Sequence, residues 1–272
     1  MTAHSLALRG GLPIPQLGIG VFRTPSGAET HRVVRDALAC GYRHVDTARV
    51  YGNEADVAEA IRESGLPRQE VFVTTKIWND DQGYDETLRA CEAALTRMRF
   101  DHIDLLLLHW PVPGKRLAAW RALERLRGEG RARAIGVSNF MPHHLRELLA
   151  TCHEPPSVNQ VELSPFLQQR ELRALCAAQG IVVAAYSPLT KGARLAHPEV
   201  VRVATRVART PAQVLIRWGL QQGLVVLPKS TRPTRLAENY AALDFVLDDR
   251  DMAALDRLEE GLVTGWDPRR AP

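Results

Sequence analysis

Asp46, Tyr51, Lys76 and His109 stand out in this sequence as residues whose types can move a proton and whose positions coincide with strand ends. Asp46 closes the run YRHVDT (42–47) and is followed by Tyr51. Lys76 lies near the end of VFVTTKI (71–77), and His109 follows the leucines of IDLLLLHW (103–110). The lysine is the conspicuous one. Among 35 Lys and Arg side chains only four are lysines, Lys76, Lys115, Lys191 and Lys229. Lys76 alone ends a run of Val, Phe and Thr that reads as a strand and not a surface loop. An aspartate on the neighbouring strand lowers the cost of burying an ammonium. A positive charge beside a phenol favours the phenolate, so Lys76 is expected to pull Tyr51 below its ordinary value near ~10. A tyrosine so tuned can give a proton to a developing alkoxide and take it back in reverse. His109 can donate a hydrogen bond to the same oxygen. Arginine, with its larger planar fork, is a poorer compact point charge.

Such residues act together only if the chain brings strand ends to one place. Besides the three runs above, apolar runs occur at 133–139, 157–163, 181–187 and 224–230, with a weaker one, LGIGVF, at 17–22. Between them, stretches such as 27–40, 53–64, 83–98, 116–129, 141–151, 169–179, 211–222 and 233–243 repeat apolar residues at three and four, the helical period. Strict alternation of strand and helix argues for a parallel sheet. Eight units argue for an α/β fold of the (β/α)8 TIM-barrel class. A doubly wound sheet is the alternative, weakened because no G-x-G-x-x-G follows the first strand. LALRGGLPIP (6–15) reads as an N-terminal hairpin turning at Gly-Gly, and 198–208 and 248–260 as extra helices. No linker or repeat divides the chain, so residues 1–272 are read as one domain.

In a barrel of this kind the chemistry sits at the C-terminal strand ends. There the sequence offers Trp78, Trp110, Ser138, Asn139, Asn159, Gln160, Glu162, Tyr186, Ser187, Lys229 and Ser230, together with the four residues named first.

Composition narrows the partners. Net charge is +4, but arginine and acid alternate along helix-like stretches such as RVVRDAL and HHLRELL, which reads as solvated helix faces. No nucleic-acid partner is expected, since a binder gathers its charge into a stripe. The modest positive excess suits a small anionic ligand. No run approaches the ~18 apolar residues of a membrane span, and the start lacks the pattern of a signal peptide. Cys40, Cys91, Cys152 and Cys176 are widely spaced, which points to free thiols and a cytoplasmic location.

The segments GYRHVDTARVYGNEADVAEAI, VFVTTKIW, DHIDLLLLHWP, AIGVSNF, VNQVELSPF, AYSPL and VLPKSTRPTRLAEN strongly resemble, in this order, the aldo-keto reductases. The resemblance covers nearly the whole chain and is nearest to the bacterial 2,5-diketo-gluconate reductase type. It implies a (β/α)8 barrel that binds NADPH or NADP+ without a Rossmann fold and reduces aldehydes and ketones to alcohols. It implies Asp46, Tyr51, Lys76 and His109 as the catalytic residues, with Tyr51 the general acid. It assigns Ser138, Asn139 and Gln160 to the nicotinamide carboxamide and Tyr186 to stacking on the nicotinamide ring. It also implies Val21 as a further cofactor contact. Ser187 and Leu189 match the pyrophosphate loop, Lys229, Ser230, Thr231 and Arg235 the 2′-phosphate, and Glu238 and Asn239 the adenine.

Phe22, Trp78 and Trp110 should form an apolar substrate mouth, as in the family. The loops PVPGKR and LTKGARLAHP are short, which implies an open pocket and a broad range of small carbonyl substrates. Trp266 in the tail is a candidate to fold over that mouth. No metal and a monomeric state are expected. A regulatory NADPH-sensing subunit, a metal-dependent hydrolase built on His44 and Asp46, and a glycosidase built on Asp46 and Glu162 are the competing readings.

Overall fold

The structure, a computed structural model, describes residues 4–271. The chain opens with a hairpin, β1 (Ser5–Ala7) against β2 (Pro13–Pro15), paired antiparallel. Gly10 and Gly11, at φ 77° and 81°, make its turn, as the Gly-Gly pair led one to expect. Eight parallel strands follow: β3 (Ile19–Gly20), β4 (His44–Asp46), β5 (Phe72–Ile77), β6 (Ile103–Leu108), β7 (Ala132–Ser138), β8 (Val158–Glu162), β9 (Val182–Tyr186) and β10 (Val225–Leu227). They neighbour one another in sequence order. The ring closes where the segment before β3 meets β10: Leu17 bridges Val226, and the Gly18 and Gly20 amides donate to Val226 and Pro228. The eighth-strand barrel read from the alternation is therefore the fold.

Helices return the chain between strands: α1 (Ala28–Ala39), α2 (Glu54–Glu63), α3 (Tyr84–Met98), α4 (Arg116–Gly128), α5 (Pro142–Leu149), α6 (Arg170–Ala178), α8 (Pro211–Gln221) and α9 (Pro233–Tyr240). The two extra helices are α7 (Pro198–Arg206) and α10 (Asp249–Asp256). The end strands are shorter than the apolar runs that announced them. β3 keeps two residues of 17–22, and β10 three of 224–230, while single backbone bonds at Gly18, Val21 and Pro228 carry the contact past their ends.

The period-2 pattern explains what the barrel interior holds. Leu8 and Ile14 of the hairpin region pack on Phe72, Leu105, Leu107, Ala134, Val158, Ala184, Val225 and Leu227, forming an apolar floor inside the ring. Two residues further along the same faces come Lys76 beyond Thr74, Gln160 beyond Val158, and Ser138 beyond Gly136. The interior thus runs from apolar at the hairpin end to polar at the C-terminal end. Gly136 is required by this packing, since a Cβ there would lie 2.5 Å from the Val158 carbonyl oxygen and 2.7 Å from Leu107 Cδ2. A second apolar layer lies between strands and helices and includes Trp120 and Trp218, both fully buried. Cys40, Cys91, Cys152 and Cys176 are free thiols.

Candidate active site

Asp46, the last residue of β4, and Lys76, next to last in the neighbouring β5, form a buried pair. Lys76 Nζ donates to Asp46 Oδ1 at 2.7 Å and to the Thr47 carbonyl at 2.9 Å, with the lysine side chain 1% exposed. Asp46 Oδ2 accepts from Gln160 Nε2 at 2.7 Å. Burial draws the Lys76 ammonium below its ordinary value, and the Asp46 carboxylate opposes that pull.

Tyr51 sits in a short 3-10 turn after β4, and its ring centroid lies 5.1 Å from Lys76 Nζ. Its ring meets His109 edge-on at 5.8 Å. The phenol is not lowered, as the lysine had led one to expect. Burial, and then the Asp46 carboxylate, hold it well above its ordinary range. The physical reason is that Asp46 offsets Lys76, while removal from water penalises the phenolate. The consequence is a phenol that keeps its proton at neutral pH. His109 moves the other way: burial and the Lys76 charge push it well below its ordinary value, so its imidazole is neutral.

Next to these residues runs a chain of side-chain bonds across the strand ends. Ser138 Oγ donates to the Gln160 carbonyl at 2.9 Å. Asn139 Nδ2 donates to the His109 carbonyl at 2.9 Å and to Ser138 Oγ at 3.2 Å, and Asn139 Oδ1 accepts from the Tyr186 hydroxyl at 2.8 Å. Asn139 takes a left-handed backbone, φ 64°. So do Ser187, Thr190 and Lys191, at φ 49°, 51° and 51°, in the loop after β9. Such conformations are costly for non-glycine residues and gather at ligand clamps.

That loop leads to a cavity of about 370 Å³ bordered by Leu189, Lys229, Ser230, Thr231, Arg235, Glu238 and Asn239. The family resemblance assigns Leu189 to the pyrophosphate and the other six of these residues to the adenosine end of a dinucleotide. Glu238 is already engaged, its carboxylate accepting from Thr210 Oγ1 at 2.6 Å. Val21 is buried at the strand edge, its amide donating to the Asp46 carbonyl at 3.1 Å.

The expected mouth residues divide. Phe22 packs on Tyr51 at 5.0 Å between centroids and Trp78 on His109 at 5.2 Å. Trp110 instead packs on Trp266, at 5.8 Å. The tail thus folds over this end of the barrel, as Trp266 had led one to consider.

Sequence reasoning missed the residues that hold Tyr51 in place. Asn53 is fully buried, accepts from Thr47 Oγ1 at 2.7 Å, and donates to the Val21 and Thr24 carbonyls. It ties the Tyr51 turn to the loop carrying Phe22. Glu54 accepts from Thr75 Oγ1 at 2.6 Å and from both Nε and Nη2 of Arg97. Two polar residues just past Gly52, at the start of α2, were the available signal. His44, a candidate metal ligand, instead bonds Thr74 Oγ1 through Nε2 at 2.9 Å. Glu162, the glycosidase partner of Asp46, is engaged by the tail. Among the described residues no helix is long and apolar enough to cross a membrane.

The model of the Aldo/keto reductase family matches residues 16–260. An aldo-keto reductase of Mycobacterium sp. (strain KMS) is 51% identical over 271 residues, covering 99% of this chain and 98% of that one. A glyoxal reductase of Bacillus subtilis (strain 168) is 45% identical over 264 residues, covering 97% and 96%. Among solved structures, a Gox0644 mutant in complex with NADPH superposes with a TM-score of 0.94 at 43% identity, covering 100% of both chains. On the barrel, the strand-end residues and these matches together, the chain belongs to the aldo/keto reductase family and is an oxidoreductase.

Proposed function

We propose that the protein is an NADPH-dependent reductase of aldehydes and ketones in which Tyr51 is the general acid. The observation that carries this reading is the Asp46–Lys76–Tyr51–His109 cluster, with a protonated phenol and a neutral imidazole facing one another at the barrel mouth. NADPH, when bound, supplies the hydride. Tyr51 donates a proton to the carbonyl oxygen as negative charge develops there. His109 donates a hydrogen bond to that oxygen and orients the carbonyl. Lys76, fixed by Asp46, stabilises the tyrosinate that remains, so it acts after proton transfer and not by lowering the resting phenol. Asn53 and Glu54 keep the Tyr51 turn and the Lys76 strand in register.

The cavity fits a 2′-phosphate: the cations Lys229, Arg232 and Arg235 and the Ser230 hydroxyl are among the groups that line a space of about 370 Å³. Thr231 borders it too, and Glu238 and Asn239 would meet the adenine. Ser187 and Leu189, in the strained loop after β9, would hold the pyrophosphate. Ser138, Asn139 and Gln160 would exchange their present bonds for the nicotinamide carboxamide, and Tyr186 would stack on its ring. Val21 would border the cofactor through its backbone. Phe22, Trp78 and Trp110 would surround a small carbonyl substrate. Within the family we place the chain nearest the 2,5-diketo-gluconate reductase type, with a broad substrate range, acting as a single-domain monomer in the cytoplasm.

The test follows NADPH absorbance against aldehydes, diketones and keto-sugars. Oxidation on carbonyl addition supports the reading. Cofactor binding without turnover across the panel overturns it in favour of a sensing subunit.

A further inference from the structure

Glu162 is the one carboxylate on the inner face of β8, two residues beyond Gln160, and it is 3% exposed. It faces the same mouth as the proton-moving cluster, yet the mechanism above does not use it. Among the described residues it forms no ion pair. Its oxygens are met by the C-terminal tail: Oε1 accepts from the Thr264 amide at 2.9 Å and from the Thr264 hydroxyl, and Oε2 from the Gly265 amide at 3.1 Å. Lys191, in the loop after β9, donates to the Thr264 carbonyl from the other side. A Cβ at Gly265 would stand 3.4 Å from Glu162 Oε2 and 4.0 Å from Lys191 Nζ, so the tail backbone lies close against both.

The next residue is Trp266. It is 71% exposed, so burial does little to fix it, yet its ring packs on Trp110 at the mouth. The tail has other anchors at some distance. Leu262 donates to the Phe166 carbonyl at 3.0 Å, and His144 Nε2 lies 3.2 Å from the Ala271 carbonyl oxygen. The hydrogen bonds nearest Trp266 on its N-terminal side are those that clasp Thr264 and Gly265 to Glu162. A carboxylate removed from water needs hydrogen bonds to remain there, and charge-assisted bonds to backbone amides are the strong kind. The clasp and the buried position of Glu162 therefore depend on each other.

We propose that Glu162 is a positioning residue that sets the substrate pocket through the tail: it clasps Thr264 and Gly265 so that Trp266 stays on Trp110 and forms the outer wall for bulky carbonyl substrates. The proposal rests on the reductase reading for its kinetic consequence but not for its structural one. A pocket competent in only a fraction of molecules binds more weakly by that fraction. Bulky aryl aldehydes should feel the loss, whereas a two-carbon dicarbonyl held at Tyr51 and His109 does not extend to Trp266.

The test uses Glu162→Gln in the full chain, with two readouts. Hydrogen exchange of the peptide covering 260–271, measured without substrate, should rise in the variant. With NADPH present, KM for an aryl aldehyde should rise roughly tenfold, while kcat, NADPH affinity and KM for glyoxal stay near parent values. Thr264→Val, which removes only the tail hydroxyl, should shift both readouts in the same direction by less, and it serves if Glu162→Gln does not fold. Parent-like tail exchange in a folded Glu162→Gln overturns the clasp. Altered exchange with equal losses in kcat, NADPH affinity and both KM values overturns the positioning role and makes Glu162 a support of the barrel. If the parent itself reduces no carbonyl, the reductase reading fails, and the exchange arm still decides the clasp.

Discussion

Replacing Lys76 by methionine removes the cation from a pair in which neither member is open to water. Asp46 would keep one partner, Gln160 Nε2, and lose the other at 2.7 Å. Breaking a buried pair by deleting one side typically destabilises by about 3–5 kcal/mol, because the remaining charge is left uncompensated. The retained Gln160 bond places the expectation near the lower end, about 3 kcal/mol. For a chain of this size that corresponds to a fall in Tm of roughly 6–12 °C. Asp46→Asn alone should also destabilise, since it leaves the buried Lys76 ammonium with neutral acceptors such as the Thr47 carbonyl and no counter-charge. The double variant should regain at least ~1 kcal/mol over the weaker single, because neither charge remains to be compensated. Its carbonyl reduction should stay as low as that of Lys76→Met, since no cation is left to stabilise the tyrosinate. Thermal unfolding and initial rates of NADPH oxidation on the four proteins complete the cycle. Additive stability losses would refute the claim that Asp46 and Lys76 compensate one another. Recovery of activity in the double variant would refute the part given to Lys76.

His109→Ala should lower turnover for every carbonyl tested while leaving NADPH affinity within about twofold, and unchanged rates across aldehydes and ketones would contradict its role. Arg235→Ala should weaken NADPH by roughly ten- to a hundredfold, less at high salt, and leave NADH nearly unchanged; paired cofactor titrations decide this. Burial pushes His44 down to about 4 from an ordinary 6.5, so the unfolded chain takes up a proton that the folded one refuses. Stability from this group is fully present above pH ~6.5 and declines by about 3 kcal/mol as pH falls toward ~4. Urea midpoints against pH should show that decline, and it should be smaller in His44→Gln.

The barrel was legible because each strand is short, apolar and followed by a helical period, and these are local signals. The polar strand ends were legible for the same reason: Lys76 shares the inner face of Phe72, and Gln160 that of Val158, by the period of two. What was not legible depends on side chains separated along the chain. Asn53 holds the Tyr51 turn through carbonyls of Val21 and Thr24, and Glu162 meets Thr264 and Gly265 from the far end of the sequence. No periodicity reports such pairings. The direction of the Tyr51 shift was misread for a related reason. The sequence displays the lysine, but burial and the opposing Asp46 carboxylate are properties of the folded site.

The central claim is that the Tyr51 phenol delivers the proton to the carbonyl oxygen. Single-turnover oxidation of prebound NADPH by an aldehyde, compared between parent and Tyr51→Phe, tests it most directly. The phenylalanine keeps the ring contacts with Phe22 and His109 and removes only the hydroxyl. NADPH binding, read by fluorescence titration, should barely change, while the oxidation rate should fall at least ~100-fold. A variant that binds NADPH normally and oxidises it at the parent rate would contradict the account and require another proton donor.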